Sequence, residues 1–186
     1  NYPEIVTFKK ILQAPKKSKN PIEKIIKPED ENSNLNLSPI AIAEDKAFHF
    51  RYQETKECLE KLGMPCISWK PIEDEAIPKQ AKGLIIPGGF PEQHAAQLST
   101  CKRSMKQLKT FYGKKPIYAE CGGMLLLGQT ITDLNGDIHS MAGLLPFLAK
   151  QGSLKVGYRR ISCTENSLIT KKGDLLAGHE FHRWEN

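Results

Sequence analysis

IYAECGGMLLLG, residues 117–128, runs an apolar segment into a glutamate, a cysteine and two glycines, then directly into a leucine-rich run. Read with the preceding Lys115 and Pro116, the first half is a strand. The leucine run after the glycines has the texture of a helix. A cysteine where a strand turns straight into a helix sits at the edge of a sheet, and a turn that tight calls for residues without side-chain bulk, which Gly122 and Gly123 supply.

The segments upstream repeat the rhythm. PIAIAED (39–45), PCISWKP (65–71) and GLIIPGG (83–89) read as short apolar strands, and KPIYAE (115–120) as the fourth. Between them, YQETKECLEKLG (52–63) places Thr55, Cys58, Leu59 and Leu62 on one helical face, with Gly63 as a stop. PEQHAAQLSTCKRSMKQLKTFYGK (91–114) opens with Pro and Glu and repeats Leu98, Cys101, Met105, Leu108 and Tyr112 at helical spacing, which predicts one long helix. Alternating strands and helices imply an α/β domain with a flavodoxin-like parallel sheet flanked by helices. Such folds bind ligands at the carboxyl ends of their strands.

Composition narrows the rest. The chain has 186 residues, 39% of them hydrophobic, enough for one ordinary domain and a tail. Residues 1–37 contain KKSKNPIEKIIKPEDENSNLNL and little to bury, and are read as a linker or tail from an N-terminal domain, with the folded domain spanning 38–186. The start, NYPEIVTFKKIL, carries neither Met nor a signal-like apolar core, which suggests a piece of a longer, cytoplasmic chain. No apolar run approaches the ~20 residues of a membrane span. The net charge of +6 is dispersed, without interleaved aromatics or a binding motif, so a solvated surface fits it better than nucleic-acid binding. Five scattered cysteines, none in CxxC spacing, indicate neither a disulfide framework nor a zinc knuckle.

The chemistry concentrates on Cys121. Its setting resembles the nucleophile elbow of hydrolases, with the sulfur exposed and the first free amides of the helix able to stabilise negative charge. The plain alternative is a small packing residue, the reading given to Cys58, Cys66 and Cys101. IIPGGFPEQHA (85–95) puts Gly88 and Gly89 at the end of another strand, where an amide would complete an oxyanion hole. GHEFH (178–182) brings two histidines from far away in sequence, as a catalytic base often is. Its context reads as a strand, so His179 and His182 would point to opposite sides. A zinc site using them with Cys121 lacks a spacing motif, and no metal is expected. His49, His94 and His139 are read as surface or packing residues. No GxxxxGK[ST] phosphate loop is present.

Taken together, DKAFHFRYQETKECLEKLG, GLIIPGGFPEQHA, PIYAECGGMLLLG and AGHEFH resemble the C-terminal glutamine amidotransferase domain of the cobyrinate a,c-diamide synthase family, the cobalamin branch of the class I amidotransferases. The resemblance covers residues 39 to about 184. The cobyric acid synthases are the similar alternative. ECGG and GHEFH fit the diamide synthases better, because the relatives usually carry Tyr in place of the first His. The resemblance implies that Cys121 attacks glutamine and that His182, the last residue of HEFH, is the base. Amides near Gly88, Gly89, Gly122 and Gly123 would bind substrate and oxyanion. Ammonia would pass to a separate synthetase domain, where ATP and Mg²⁺ activate the a and c acetates of cobyrinate. This domain itself is expected to hold no cofactor. Two readings from other classes stand beside it, a catalytically silent docking domain and a cysteine hydrolase. The usual class I triad has a Glu two residues after its His, which the cobalamin branch usually lacks; here that position is Trp184, which leaves the group orienting the imidazole unassigned.

Overall fold

The computed structural model describes residues 37–185, so the linker reading of residues 1–37 lies, but for Leu37, outside the described residues. Two compact units are present. One comprises residues 37–151 with Glu185, the other Gly152–Trp184.

The first unit is built on strands β1 (Ile40–Ala43), β2 (Cys66–Trp69), β3 (Gly83–Ile86) and β4 (Ile117–Ala119), in the order β2-β1-β3-β4. All pairings are parallel, with Ile40 opposite Cys66 and Gly83, and Leu84 opposite Ile117. The order reverses between β1 and β3. The carboxyl ends of those two strands therefore open the crevice where such sheets bind ligands. Leu84 and Ile86 of β3 are both buried although they alternate with Ile85, which is only half-covered. A central parallel strand covered on both sides reads as an apolar run for this reason. Trp69, Leu98, Leu108 and Leu126 are fully buried around it. Each stabilises the unit by about 1.5–3 kcal/mol through removal from water.

Helix α1 (Gln53–Lys61) forms where its periodicity predicts, yet it buries none of its residues, and Leu62 beyond it stays half exposed. The single long helix expected over 91–114 is instead a 3₁₀ turn at Pro91–His94, then α2 (Ala95–Thr100) and α3 (Lys102–Phe111). The cause is tertiary. At the junction Cys101 leaves helical geometry with ψ 70°, and its thiol donates to the carbonyl of Ile72 at 3.5 Å. The amide of Ser104 donates to the Asp74 carboxylate at 2.8 Å, and its hydroxyl donates to the carbonyl of Glu75. The 3₁₀ turn Pro71–Glu73 and the residues after it thus supply the partners that start α3 anew. Leu98, Cys101, Met105 and Leu108 are buried as the spacing predicts, but Phe111, not Tyr112, completes the apolar face.

After β4 come α4 (Gly122–Leu127) and a hairpin of β5 (Thr130–Thr132) and β6 (Ile138–Ser140), paired antiparallel. The carboxylate of Asp133 fastens this hairpin by accepting from the amides of Asn135 and Asp137 and from Nε2 of His139 at 2.8 Å. That bond to His139 is the leading reason the Asp133 carboxyl is held below its ordinary range. β5 also runs parallel to the first residues of β7 (Leu148–Ser162).

In the second unit, β7 from Gly152 onward lies beside β8 (Leu175–Glu185). Their connection is tied where the Cys163 amide donates to Asp174 and the Gly173 amide returns to the carbonyl of Cys163 at 2.7 Å. The strand expected around GHEFH is present.

Candidate active site

Cys121 stands between β4 and α4 with φ 49° and ψ −122°. Only Asp74 shares a positive φ with it among the described non-glycine residues. Holding a side-chain-bearing residue there costs about 1–3 kcal/mol and persists only where neighbours enforce it. The enforcers are main-chain bonds. The Glu120 amide donates to Ile86 at 3.2 Å, the Gly123 amide to Glu120 at 2.9 Å, and the Met124 amide to Cys121 at 3.0 Å. The thiol-bearing residue is exposed, while Gly122 and Gly123 behind it are buried.

The structure shows why the glycines must lack side-chain bulk. Neither Gly122 nor Gly123 has a positive φ; the strained residue of the turn is Cys121 itself. The glycines are needed for close approach. A Cβ on Gly123 would lie 2.1 Å from the carbonyl oxygen of Ile86, inside the end of β3. One on Gly122 would lie 2.7 Å from the carbonyl oxygen of Gly89 and from Cδ of Pro91. On the facing turn, a Cβ on Gly89 would reach 2.1 Å from the carbonyl oxygen of Ala47, and one on Gly88 would stand 3.6 Å from the Cys121 sulfur. The two Gly-Gly turns, 34 residues apart in sequence by Gly88 and Gly122, thus interlock around Cys121. Among the described residues, the amides of Gly89 and Gly122 donate to no main-chain carbonyl. Unpaired amides beside a nucleophile are the groups that stabilise a developing oxyanion.

The loop after β1 forms the rim. Its Asp45 carboxylate accepts from the amides of Ala47 and Phe48 with one oxygen and from Ile72 with the other. Phe50 then bonds to the turn directly, its amide donating to Gly88 at 3.0 Å. The rings of Phe50 and Phe90 meet edge to face at 4.8 Å, with His49 against both. His49 is therefore a rim residue. Sequence reasoning missed Asp45, whose signal was an aspartate two residues before a buried Ala-Phe pair in a strand-end loop.

His182 belongs to the second unit. On β8 the side chains alternate as expected. His179 packs edge to face on Tyr158 at 5.2 Å and stacks toward Phe181. His182 shares the other side with Glu180 and Trp184. Its Nε2 lies 2.8 Å from Oε1 of Glu180 and its Nδ1 2.9 Å from the carbonyl oxygen of Trp184. The second carboxylate oxygen of Glu180 accepts from Nε of Arg159 on β7 at 2.6 Å. The hydrogen bond from His182, and after it the charge of Arg159, holds the Glu180 carboxyl below the ordinary carboxylate range. Glu180 was within the quoted motif but was not singled out, although an acid two residues from a histidine on a strand shares its face.

The remaining cysteines differ. Burial pushes the thiols of Cys66 and Cys101 up, reinforced by Glu60 and Asp74 respectively, which keeps them in the unreactive thiol form. Among the described residues, no group of three or more His, Cys, Asp or Glu side chains could hold a metal. No helix among them is long and apolar enough to cross a membrane.

Residues 39–185 match the model of the CobB/CobQ-like glutamine amidotransferase domain. The cobyrinate a,c-diamide synthase of Caldanaerobacter subterraneus is 38% identical over 160 residues, 84% of this chain and 35% of that protein. The one from Synechococcus is 40% identical over 147 residues, 78% of this chain and 32% of its own length. The hydrogenobyrinate a,c-diamide synthase of Mesorhizobium japonicum is 34% identical over 145 residues, 77% and 33% of the two chains. The chain thus spans about a third of the length of these curated relatives. A crystal structure of a glutamine amidotransferase superposes with a TM-score of 0.51 at 15% identity, covering 77% of this chain and 70% of that one, which supports the fold.

Proposed function

The chain belongs to the CobB/CobQ-like glutamine amidotransferase family, and from that premise we propose that it is the glutaminase half of a cobyrinate a,c-diamide synthase. The observation that carries the reading is the strained, exposed Cys121 locked between two Gly-Gly turns with unpaired amides beside it.

In this reading His182 takes the Cys121 proton as the sulfur bonds to the side-chain amide carbon of L-glutamine. The carbonyl electron pair moves to the oxygen, where the Gly89 and Gly122 amides receive the charge. When the pair returns, the C–N bond breaks, and the proton held by His182 leaves with the nitrogen as ammonia. Water then adds to the γ-glutamyl thioester, releases glutamate and restores the thiol. The relatives are about three times as long as the matched stretch. To that further length we assign the Mg²⁺- and ATP-dependent activation of the a and c acetate carboxylates, which the ammonia converts to amides.

The test uses the complete enzyme. Cys121→Ser should abolish glutamine-dependent amidation of cobyrinate while leaving activity with ammonium salts, because ammonia supply and carboxylate activation are separate chemistries. Glutamine use at the wild-type rate would refute the nucleophile. Loss of both activities in a folded variant would refute the division of labour.

A further inference from the structure

Two residues after His182 stands Trp184, which offers no acid to orient the imidazole. The second unit supplies one. Glu180 lies two residues before His182 on the same strand, so strand alternation alone puts both on one side of β8. Its two oxygens are divided, one 2.8 Å from Nε2 of His182 and the other 2.6 Å from Nε of Arg159. The carboxylate is thus aimed by a second side chain, from the neighbouring strand, and only about a fifth of it is exposed.

The imidazole has an acceptor on each side, Glu180 at Nε2 and the Trp184 carbonyl at Nδ1. A neutral imidazole has one N–H and can satisfy one of them, so a ring acting as base must give up one partner. The carboxylate is charged, its bond is charge-assisted, and it is anchored by Arg159. The Trp184 carbonyl is neutral. We propose that Glu180, held by Arg159, is the positioning residue of His182: it keeps Nε2–H, so that Nδ1 is the ring nitrogen that takes up a proton. This rests on the reading of His182 as the base. The Glu180 carboxyl, held below the ordinary carboxylate range first by its bond with His182, accords with it, because the charged form is the one that accepts from Nε2.

A proton taken up by the ring then enters and leaves at Nδ1, while Nε2–H stays bonded to Glu180 throughout. The imidazolium formed in between is stabilised by the carboxylate, and Arg159 keeps that carboxylate from rotating.

The experiment combines single-turnover γ-glutamyl thioester formation in the full chain with ¹⁵N spectra of the His182 ring. In the wild-type protein the neutral ring should be the Nε2–H tautomer. Glu180→Gln keeps size and an acceptor oxygen but not the charge, and should slow the thioester step at least about tenfold with glutamine KM within about twofold. Glu180→Ala should slow it about a hundredfold and move the ring proton to Nδ1, toward the Trp184 carbonyl. Arg159→Gln should fall between. A wild-type rate in Glu180→Gln, a faster rate in Glu180→Ala, or an Nδ1–H tautomer in the wild type would overturn the assignment of Glu180 and leave the His182 reading intact. A wild-type rate in His182→Ala would overturn the base itself, and this inference with it.

Discussion

Cys121 carries the strain of the elbow, and the glycines around it are spaces into which other backbone fits. That division predicts opposite phenotypes for neighbouring glycines. Gly123→Ala would drive a methyl to 2.1 Å from a main-chain oxygen of β3, which has no room to yield. It should destabilise the unit by about 2–4 kcal/mol, read as a lower urea midpoint. Gly88→Ala meets Cβ atoms of Cys121 and Phe50 at 3.3–3.4 Å and the sulfur at 3.6 Å. It should melt close to wild type yet slow thiol alkylation and glutamine turnover by crowding the sulfur. A Gly123→Ala protein as stable as wild type would contradict the close-approach account. The two histidines of β8 separate in the same way. His182→Ala should lose about a hundredfold or more in thioester formation, the scale of a general base. His179→Ala removes a ring packed on Tyr158 and should act on stability far more than on that step. The reverse ranking in single-turnover labelling would exchange their roles.

At the scale of elements, the break between α2 and α3 is imposed by a segment about thirty residues earlier. Asp74→Ala removes the acceptor of the Ser104 amide, a donor at a fully buried residue. The cost should be about 1–3 kcal/mol, that of a stranded buried amide, and denaturant melts of the variant measure it. An unchanged midpoint would mean that the helix restarts without help. The β5–β6 hairpin gives a pH-dependent counterpart. Asp133 titrates below its ordinary value in the folded chain, chiefly through His139, so its contribution is present above that value and fades as pH falls through the folded one. The gap in urea midpoint between wild type and Asp133→Asn should therefore be full near neutrality and close as pH falls below the ordinary aspartate range. A gap independent of pH would show that the carboxylate's charge is not what fastens the hairpin.

For the whole molecule, the family membership and the one-third coverage of longer relatives set the expectation. A glutaminase acting without an acceptor would waste glutamine. The chain alone should thus hydrolyse glutamine slowly. Under the proposed function, adding the proposed synthetase portion with ATP and cobyrinate should raise the rate by aligning the oxyanion amides, whose effect of several kcal/mol depends on aim. Steady-state ammonia release with and without that portion is the measurement. Full activity of the chain alone would remove the coupling from the proposal.

Much of the frame was legible in the sequence because it rests on local rules. Short apolar runs separated by helical periodicity determined the four parallel strands, the strand-to-helix turn determined where Cys121 lies, and period-two alternation separated His179 from His182. The β5–β6 hairpin and the break at Cys101 were not legible. The hairpin's strands are only three residues each, too short to show a period, and the break depends on Asp74 and Ile72 from elsewhere in the chain. The site divides along the same line. Sequence spacing marked Gly88, Gly89, Gly122 and Gly123 but not the backbone that closes on them, because a 2.1 Å approach between segments far apart in the chain leaves no periodic trace. It is likewise silent on the Arg159–Glu180–His182 chain, since which residue of β7 faces Glu180 is a matter of how two strands pair, and only the tertiary structure decides that.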